Sequence, residues 1–289
     1  MKRIFLFLLT NVAIMITLSI VLAILGVGKF VTPSGLNYVA LMMFSLVWGF
    51  GGALISLAMS RWMAKTAMGV QLVDGRTGQP DLDWLHATVE QLTRKAGLPM
   101  PEVGIYDSPE VNAFATGPSK RSSLVAVSSG LLRSMRREEI EGVLAHEVSH
   151  IQNGDMVTMT MIQGVVNAFS IFFSRVIANV IRQLVDERMS NLVFFVSTIV
   201  FDIIFSFLGM IVVAWFSRAR EFRADAGAAT LSSRGNMIAA LQRLAANQAM
   251  VDQGHPELAA MKINGARLRG LISTHPPLEE RIAALQRLQ

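Results

Sequence analysis

No cysteine occurs anywhere in the 289 residues. Disulfides and thiolate metal sites are therefore excluded, and any bound metal falls to His, Asp or Glu. Charge is also scarce: Asp, Glu, Lys and Arg make up 16% of the chain against 52% hydrophobic residues, and the mean hydropathy is +0.45. An ordinary soluble domain carries about a quarter charged residues, so this composition reads as a membrane protein with a polar part. The interleaved aromatic and basic residues of a nucleic-acid binder are missing too. The net charge of +5 and the pI of about 10.0 arise from Lys and Arg that flank apolar runs. That is the pattern that orients membrane spans, and no nucleic-acid partner is expected.

Four apolar runs are present. Residues 4–28 and 36–60 carry no charge and are long enough to cross a bilayer. The first is too long for a signal-peptide core and lacks a clear small-x-small cleavage site, so it is expected to be a retained span. The second contains Gly49, Gly51 and Gly52, which permit close helix packing. The third covers 156–174 and reaches 181 if Arg175 snorkels to the interface. The fourth, 191–217, is broken only by Asp202. An ionisable group at such depth is expected to meet a polar partner on another span, with Arg175 the candidate. Lys2, Arg3, Arg61, Lys65, Arg218, Arg220 and Arg223 cluster at one set of span ends, so the positive-inside rule puts both termini in the cytoplasm. The expected organisation is two membrane hairpins, 1–60 and 156–217, alternating with cytoplasmic segments 61–155 and 218–289.

The first cytoplasmic segment contains His146-Glu147-Val148-Ser149-His150. On a helix the two histidines point the same way, one turn apart, and can share one Zn²⁺; Glu147 between them is placed to take a proton from the attacking water. A helix is plausible here on other grounds. Ser134 is available as a cap, Glu138, Glu139 and Glu141 fall in the early turns, and Ile140, Val143, Leu144 and Val148 form an apolar stripe. The charges on this helix, beginning with Arg133, Arg136 and Arg137, exclude a place inside the hydrocarbon core.

Upstream, Asp81 is a candidate cap for a helix reaching about Ala96, and runs 102–106, 111–115 and 123–128 have strand character. A strand at the edge of this small sheet can pair with an extended peptide; Asn112-Ala113-Phe114-Ala115 and residues 124–127 are the two candidates for that edge. Beyond the fourth run, 217–226, 236–248 and 276–288 read as helices. Segments 61–80 and 249–274 are candidate lids or autolysis sites. A catalytic zinc takes a third protein ligand. The pattern with a third His just downstream fails, because Met156 stands where that His is required. His86, His255, His275, Glu221 and Asp225 remain. Topology favours Glu221, which returns on the fourth span near the point where the chain left His150. Asp225, one turn on, suits an orienting contact to a ligand histidine.

The sequence resembles the HtpX family of membrane-bound zinc metalloproteases, relatives of the eukaryotic prenyl-protein endopeptidase. The matching stretches are the apolar amino end 1–10, Asn112-Ala113-Phe114-Ala115-Thr116-Gly117, His146-Glu147-Val148-Ser149-His150, Asn153-Gly154-Asp155-Met156, Glu221-Phe222-Arg223-Ala224-Asp225 and His275-Pro276-Pro277, in order over nearly the whole chain. The resemblance implies one Zn²⁺ per subunit on His146, His150 and Glu221, with Glu147 catalytic. It also implies His275 and Arg281 beside the site, and cleavage of misfolded membrane proteins in the bacterial inner membrane. The fold expected is an α-helical membrane protein of about four transmembrane helices with a cytoplasmic α+β zincin-like protease domain. Its partners are polypeptide substrates and the lipid bilayer, and Asn112, Ala113 and Phe114 are expected to bind substrate. The competing function is a non-catalytic scaffold or transporter with a structural metal site.

Overall fold

The computed structural model describes residues 2–27, 29–32, 35–254 and 271–288, with side chains described for 12–27, 29–32, 35–247 and 271–288. His255, Pro33, Ser34 and most of the 249–274 segment lie outside the described residues. The chain divides into two compact units, Met1–Leu57 with Thr158–Val213, and Ala58–Val157 with Ala214–Gln289.

The first unit takes its helices from the apolar runs. They are α1 (Lys2–Ile24), the first part of α2 (Tyr38–Met68), most of α6 (Asp155–Arg182) and the first part of α7 (Glu187–Leu231). Strands β1 (Val31–Thr32) and β2 (Gly35–Leu36) form a minimal antiparallel pair between α1 and α2. Among the described residues, α2, α6 and α7 are long and apolar enough to cross a membrane, and 12–24 is a shorter apolar stretch. Large apolar side chains point outward, Val39 at 72% and Ile203 at 65% exposure, as lipid-facing surface does. A Cβ on Gly49 would stand 2.5 Å from the Ala168 backbone nitrogen, so this glycine is what allows α2 and α6 to touch. Gly51 likewise faces Leu18, whereas Gly52 meets nothing within 4 Å and plays no such part. Arg175 Nη1 lies 3.1 Å from Asp202 Oδ1, the contact between spans expected from the sequence.

The second unit is a four-stranded sheet under a layer of helices. The strands are β3 (Gln71–Val73), β4 (Glu102–Tyr106), β5 (Ala113–Ser119) and β6 (Ser122–Ser128), in the spatial order β3-β4-β6-β5. β4 and β6 run parallel; the outer pairs are antiparallel. β6 is central and buried on both faces, so 124–127 is not an edge. β5 is an edge strand, as is β3 on the other side, and it runs on through Gly117-Pro118-Ser119, a stretch that reads in sequence as a strand boundary. Side chains along β5 alternate: Ala113 and Ala115 pack on the main core, while Phe114 turns to the other face against Tyr106, ring centroids 5.7 Å apart.

Helix α3 (Pro80–Lys95) buries Leu85, Val89 and Leu92. It starts at Gln79 with Pro80 in its first turn, not at Asp81, whose carboxylate instead meets Arg137 at 3.1 Å. Helix α2 and strand β3 occupy much of 61–80, so that segment is largely regular structure and not a free lid. α4 (Ser129–Ser134) and α5 (Arg137–Asn153) follow β6 directly. Ser134 closes α4 and does not cap α5. The α5 cap is a reciprocal one in which Glu139 reaches back to accept from the Arg136 N–H at 2.8 Å. α5 buries the stripe Ile140, Val143, Leu144 and Val148 against the sheet and against α8 (Arg234–Gly254). Gly142 sets that approach: a Cβ there would be 2.6 Å from the Asn236 carbonyl oxygen. The last helix, α9 (Leu278–Arg287), packs Leu285 into the same core.

Candidate metal centre and active site

The site is built on the buried face of α5. His146 and His150 are one turn apart, with ring centroids separated by 4.5 Å and Nε2 atoms by 3.0 Å. Both Nε2 atoms face the carboxylate of Glu221 on α7, at 3.4 Å each. One ligand atom from each of the three residues falls within 4.8 Å of the others.

Two aspartates hold the far sides of the imidazoles. Asp225 Oδ1 lies 2.9 Å from His146 Nδ1, and Asp155 Oδ2 lies 2.7 Å from His150 Nδ1. Each contact fixes the ring with Nδ1 toward the aspartate, so that Nε2 is the nitrogen turned to the centre. Asp225 was read from sequence as an orienting residue; Asp155 was not, although it follows the helix directly. Gly154 takes a left-handed conformation (φ 70°) and ends α5, and the turn places Asp155 beside His150. The signal that would have found it is an acid immediately after a helix-ending glycine, five positions beyond a ligand histidine.

Arg281, on α9, is buried and grips Asp225 with two hydrogen bonds, Nε to Oδ2 at 2.8 Å and Nη2 to Oδ1 at 2.6 Å. Its remaining Nη1 is 3.4 Å from Glu221 Oε2. His275 Nδ1 stands 3.0 Å from Glu221 Oε2, and this side chain is 63% exposed. His86 is elsewhere, against the turn at Gly75.

The donor set fits a divalent cation. Glu221 is 1% exposed, and neither of its carboxylate oxygens makes a hydrogen bond of adequate geometry. An anion buried without such bonds is costly unless a cation covers it. Burial alone would raise the Glu221 carboxyl, but His146, His150 and His275 hold it well below the usual carboxylate range. Burial disfavours the His150 imidazolium, and the Asp155 and Glu221 carboxylates more than offset this, pushing it up to about 9. His146 is pushed up likewise: Asp225 and Glu221 outweigh its burial. Two imidazoles and a carboxylate, with no thiolate, form the ligand set of a hydrolytic metal site with one open position.

A cavity of about 210 Å³ opens at this centre. Glu147, His275, Val111, Asn112 and Ala113 are among its lining residues; Phe114 is not. The two-residue period of β5 sends Phe114 to the opposite face, so of the three residues expected to bind substrate only Asn112 and Ala113 reach the site. Exchange of Asp155 for Asn, which keeps the shape but removes the charge behind His150, is expected to weaken metal binding by about 10–100-fold. Competition against a coloured chelator measures it, with circular dichroism to show an intact fold.

The profile of Peptidase family M48 matches residues 81–289. A protease HtpX homolog from Thiobacillus denitrificans is 51% identical over 297 residues, covering 100% of both chains. The protease HtpX of Thioalkalivibrio sulfidiphilus is 50% identical over 296 residues with 100% of each covered, and a protease HtpX homolog of Bacillus licheniformis is 51% identical with 99% of each covered. Among solved structures, the crystal structure of S. mikatae Ste24p shares the fold, with a TM-score of 0.58 at 18% identity over 84% of this chain and 58% of that one. A non-catalytic scaffold or transporter is not favoured by these likenesses or by the site's geometry. The chain belongs to Peptidase family M48, and it is a membrane metalloendopeptidase.

Proposed function

We propose that the metal is Zn²⁺, one per subunit, and that the enzyme is a multi-pass protein of the bacterial inner membrane. In this reading it cleaves misfolded or damaged membrane proteins at the cytoplasmic face. Four transmembrane helices form hairpins 1–60 and 156–217, and segments 61–155 and 218–289 make an α+β zincin-like domain in the cytoplasm. Support for this topology comes from the basic residues at the ends of the runs. Support for the substrate class comes from the membrane spans and from the protease HtpX relatives.

The observation that carries the reading is the position of Glu147. It lies on the helix that presents His146 and His150, and it lines the cavity together with Asn112 and Ala113 at the start of β5, an edge strand among the described residues. His146, His150 and Glu221 would hold a divalent ion, which when bound would supply Lewis acidity, lowering the pKa of a water to about 7 and polarising the scissile carbonyl. Glu147 takes the proton of the attacking water and passes it to the departing amine. Asp225 and Asp155 keep the ligand imidazoles in one tautomer, and Arg281 holds Asp225 in place. With Nε and Nη2 of Arg281 engaged by Asp225, the donors that face the cavity for the tetrahedral oxyanion are Arg281 Nη1 and the exposed His275. An extended peptide adding to β5 is gripped mainly through its backbone, which suits an enzyme that tolerates many sequences.

Purified in detergent, the full chain is expected to cleave casein, to stop when treated with a zinc chelator, and to recover when Zn²⁺ is restored. A protein that binds Zn²⁺ stoichiometrically and leaves casein and unfolded membrane proteins intact would sink the reading.

A further inference from the structure

A second cleft, of about 490 Å³, lies between α2, α6 and α7 in the first unit, lined by Trp48, Asn167, Ser170, Arg175, Asp202 and Ser206 among others. Three helices place it independently at one depth. Trp48 is the middle residue of the apolar run 36–60, and Asp202 falls within one turn of the middle of 191–217. The Arg175 guanidinium folds back to donate to the Ile171 carbonyl at 3.0 Å, within one turn of the middle of 156–181. Runs of this length match a hydrocarbon core about 30 Å thick, so the cleft is polar near the bilayer midplane.

Polar groups at that depth are costly and mark function, and among the described residues these are not used up. Arg175 Nη1 donates to Asp202 at 3.1 and 3.3 Å, and Ser174 also donates to Asp202. Among the described residues, the hydrogen bonds of Arg175 all run through Nη1, which leaves the donors on Nε and Nη2. The Asp202 side chain is 35% exposed. The indole N–H of Trp48 is buried without an acceptor. Arg175 and Asp202 neutralise one another, so the cleft presents a spare donor beside a spare acceptor and no net charge.

A carboxamide is the chemical complement: its oxygen accepts from the guanidinium while its N–H₂ donates to the carboxylate. A lipid headgroup is held at the interface, whereas a transmembrane helix carries side chains at midplane depth. An apolar groove of about 410 Å³ on the same two helices α6 and α7 shares Ser170 with the cleft and is lined by Phe169, Phe205, Leu208 and Gly209; it suits the neighbouring apolar side chains of such a helix. We propose that this cleft recognises a transmembrane helix of a polypeptide that carries an unpaired Asn or Gln at midplane depth. The proposal rests on the reading of the enzyme as a protease of membrane proteins. A polar side chain without a partner is what distinguishes a span that has failed to assemble.

The test places the full-length enzyme in proteoliposomes with two single-span substrates that share one extramembrane cleavage segment and differ only in Asn or Leu at the midplane. Casein cleavage is followed in parallel. The wild type is expected to cleave the Asn substrate about five- to tenfold faster. The double exchange Arg175→Met with Asp202→Leu removes both charges together, so neither is left unpaired; it is expected to abolish the ratio and spare casein cleavage. Ser206→Leu, at an exposed position on the cleft, fills it without touching the ion pair and is expected to do the same. Equal rates for the two substrates with wild type, or a ratio unchanged in both variants, overturns the proposal. A photocrosslinking side chain at Phe44, also on the cleft wall, is expected to label the Asn substrate over the Leu substrate; labelling of lipid alone overturns the proposal. Should wild type leave casein intact, the protease reading fails by itself, and the crosslinking comparison still decides the cleft.

Discussion

Glu147→Gln is expected to lower the turnover of casein by about 10²–10⁴-fold while the metal content of the purified protein stays unchanged. The exchange keeps the size and hydrogen-bonding outline of the side chain but removes the carboxylate assigned to accept a proton from water. His146, His150 and Glu221 are untouched, and their far-side contacts to Asp225 and Asp155 are independent of residue 147. At about 1.36 kcal/mol per tenfold, the loss corresponds to roughly 3–5 kcal/mol of activation barrier. Metal analysis beside a kcat measurement checks it. Substantial activity with metal bound would mean that another group moves the proton, and the role assigned to Glu147 would fall.

Glu221→Gln is expected to act one step earlier, on the metal itself. It removes the only carboxylate among the three ligands and leaves two imidazoles on a buried surface. Affinity should fall by more than about 100-fold, beyond the upper end seen when only an outer contact is lost. Titration with Zn²⁺ against a competing chelator reads the affinity directly. The same titration in the native protein carries a pH signature. The His150 imidazolium is pushed up to about 9 by Asp155 and Glu221 acting against its burial, and a histidine binds metal only when Nε2 is unprotonated. Affinity should therefore rise with pH from about 6.5 to about 9, with proton release on binding, and level off above that. An affinity flat across this window would show that Asp155 and Glu221 do not hold His150 protonated in the metal-free site.

Some of this centre was legible in the residues. His146, Glu147 and His150 were readable because an i, i+4 pair needs only a helix, and the apolar stripe from Ile140 to Val148 indicated one. Glu221 followed from counting spans. Asp155 went unassigned, because its contact depends on the left-handed turn at Gly154 and no periodicity announces it. The helix starts at Gln79 and Arg136 were misplaced onto Asp81 and Ser134 for a related reason. Several polar residues near each start were chemically able to cap, and the choice was made by where neighbouring elements packed. Strand β3 went unread because it has three residues and draws its stability from pairing with β4.

By itself, the sequence determined what depends on near neighbours: the apolar runs, the amphipathic helices, the histidine pair and the absence of thiolate ligands. The tertiary structure alone decided which strands lie at the sheet edges, that Phe114 faces away from the cavity, and that Arg281 grips Asp225 through Nε and Nη2 while lining the cavity. It also decided that Glu221 aims both oxygens at the two imidazoles. Neighbours along a helix or strand are set by backbone geometry, which every residue shares. A contact between α5 and α7, or between α7 and α9, depends on side-chain packing at close approaches such as Gly227 against Ser149, and that becomes fixed only when the whole core assembles.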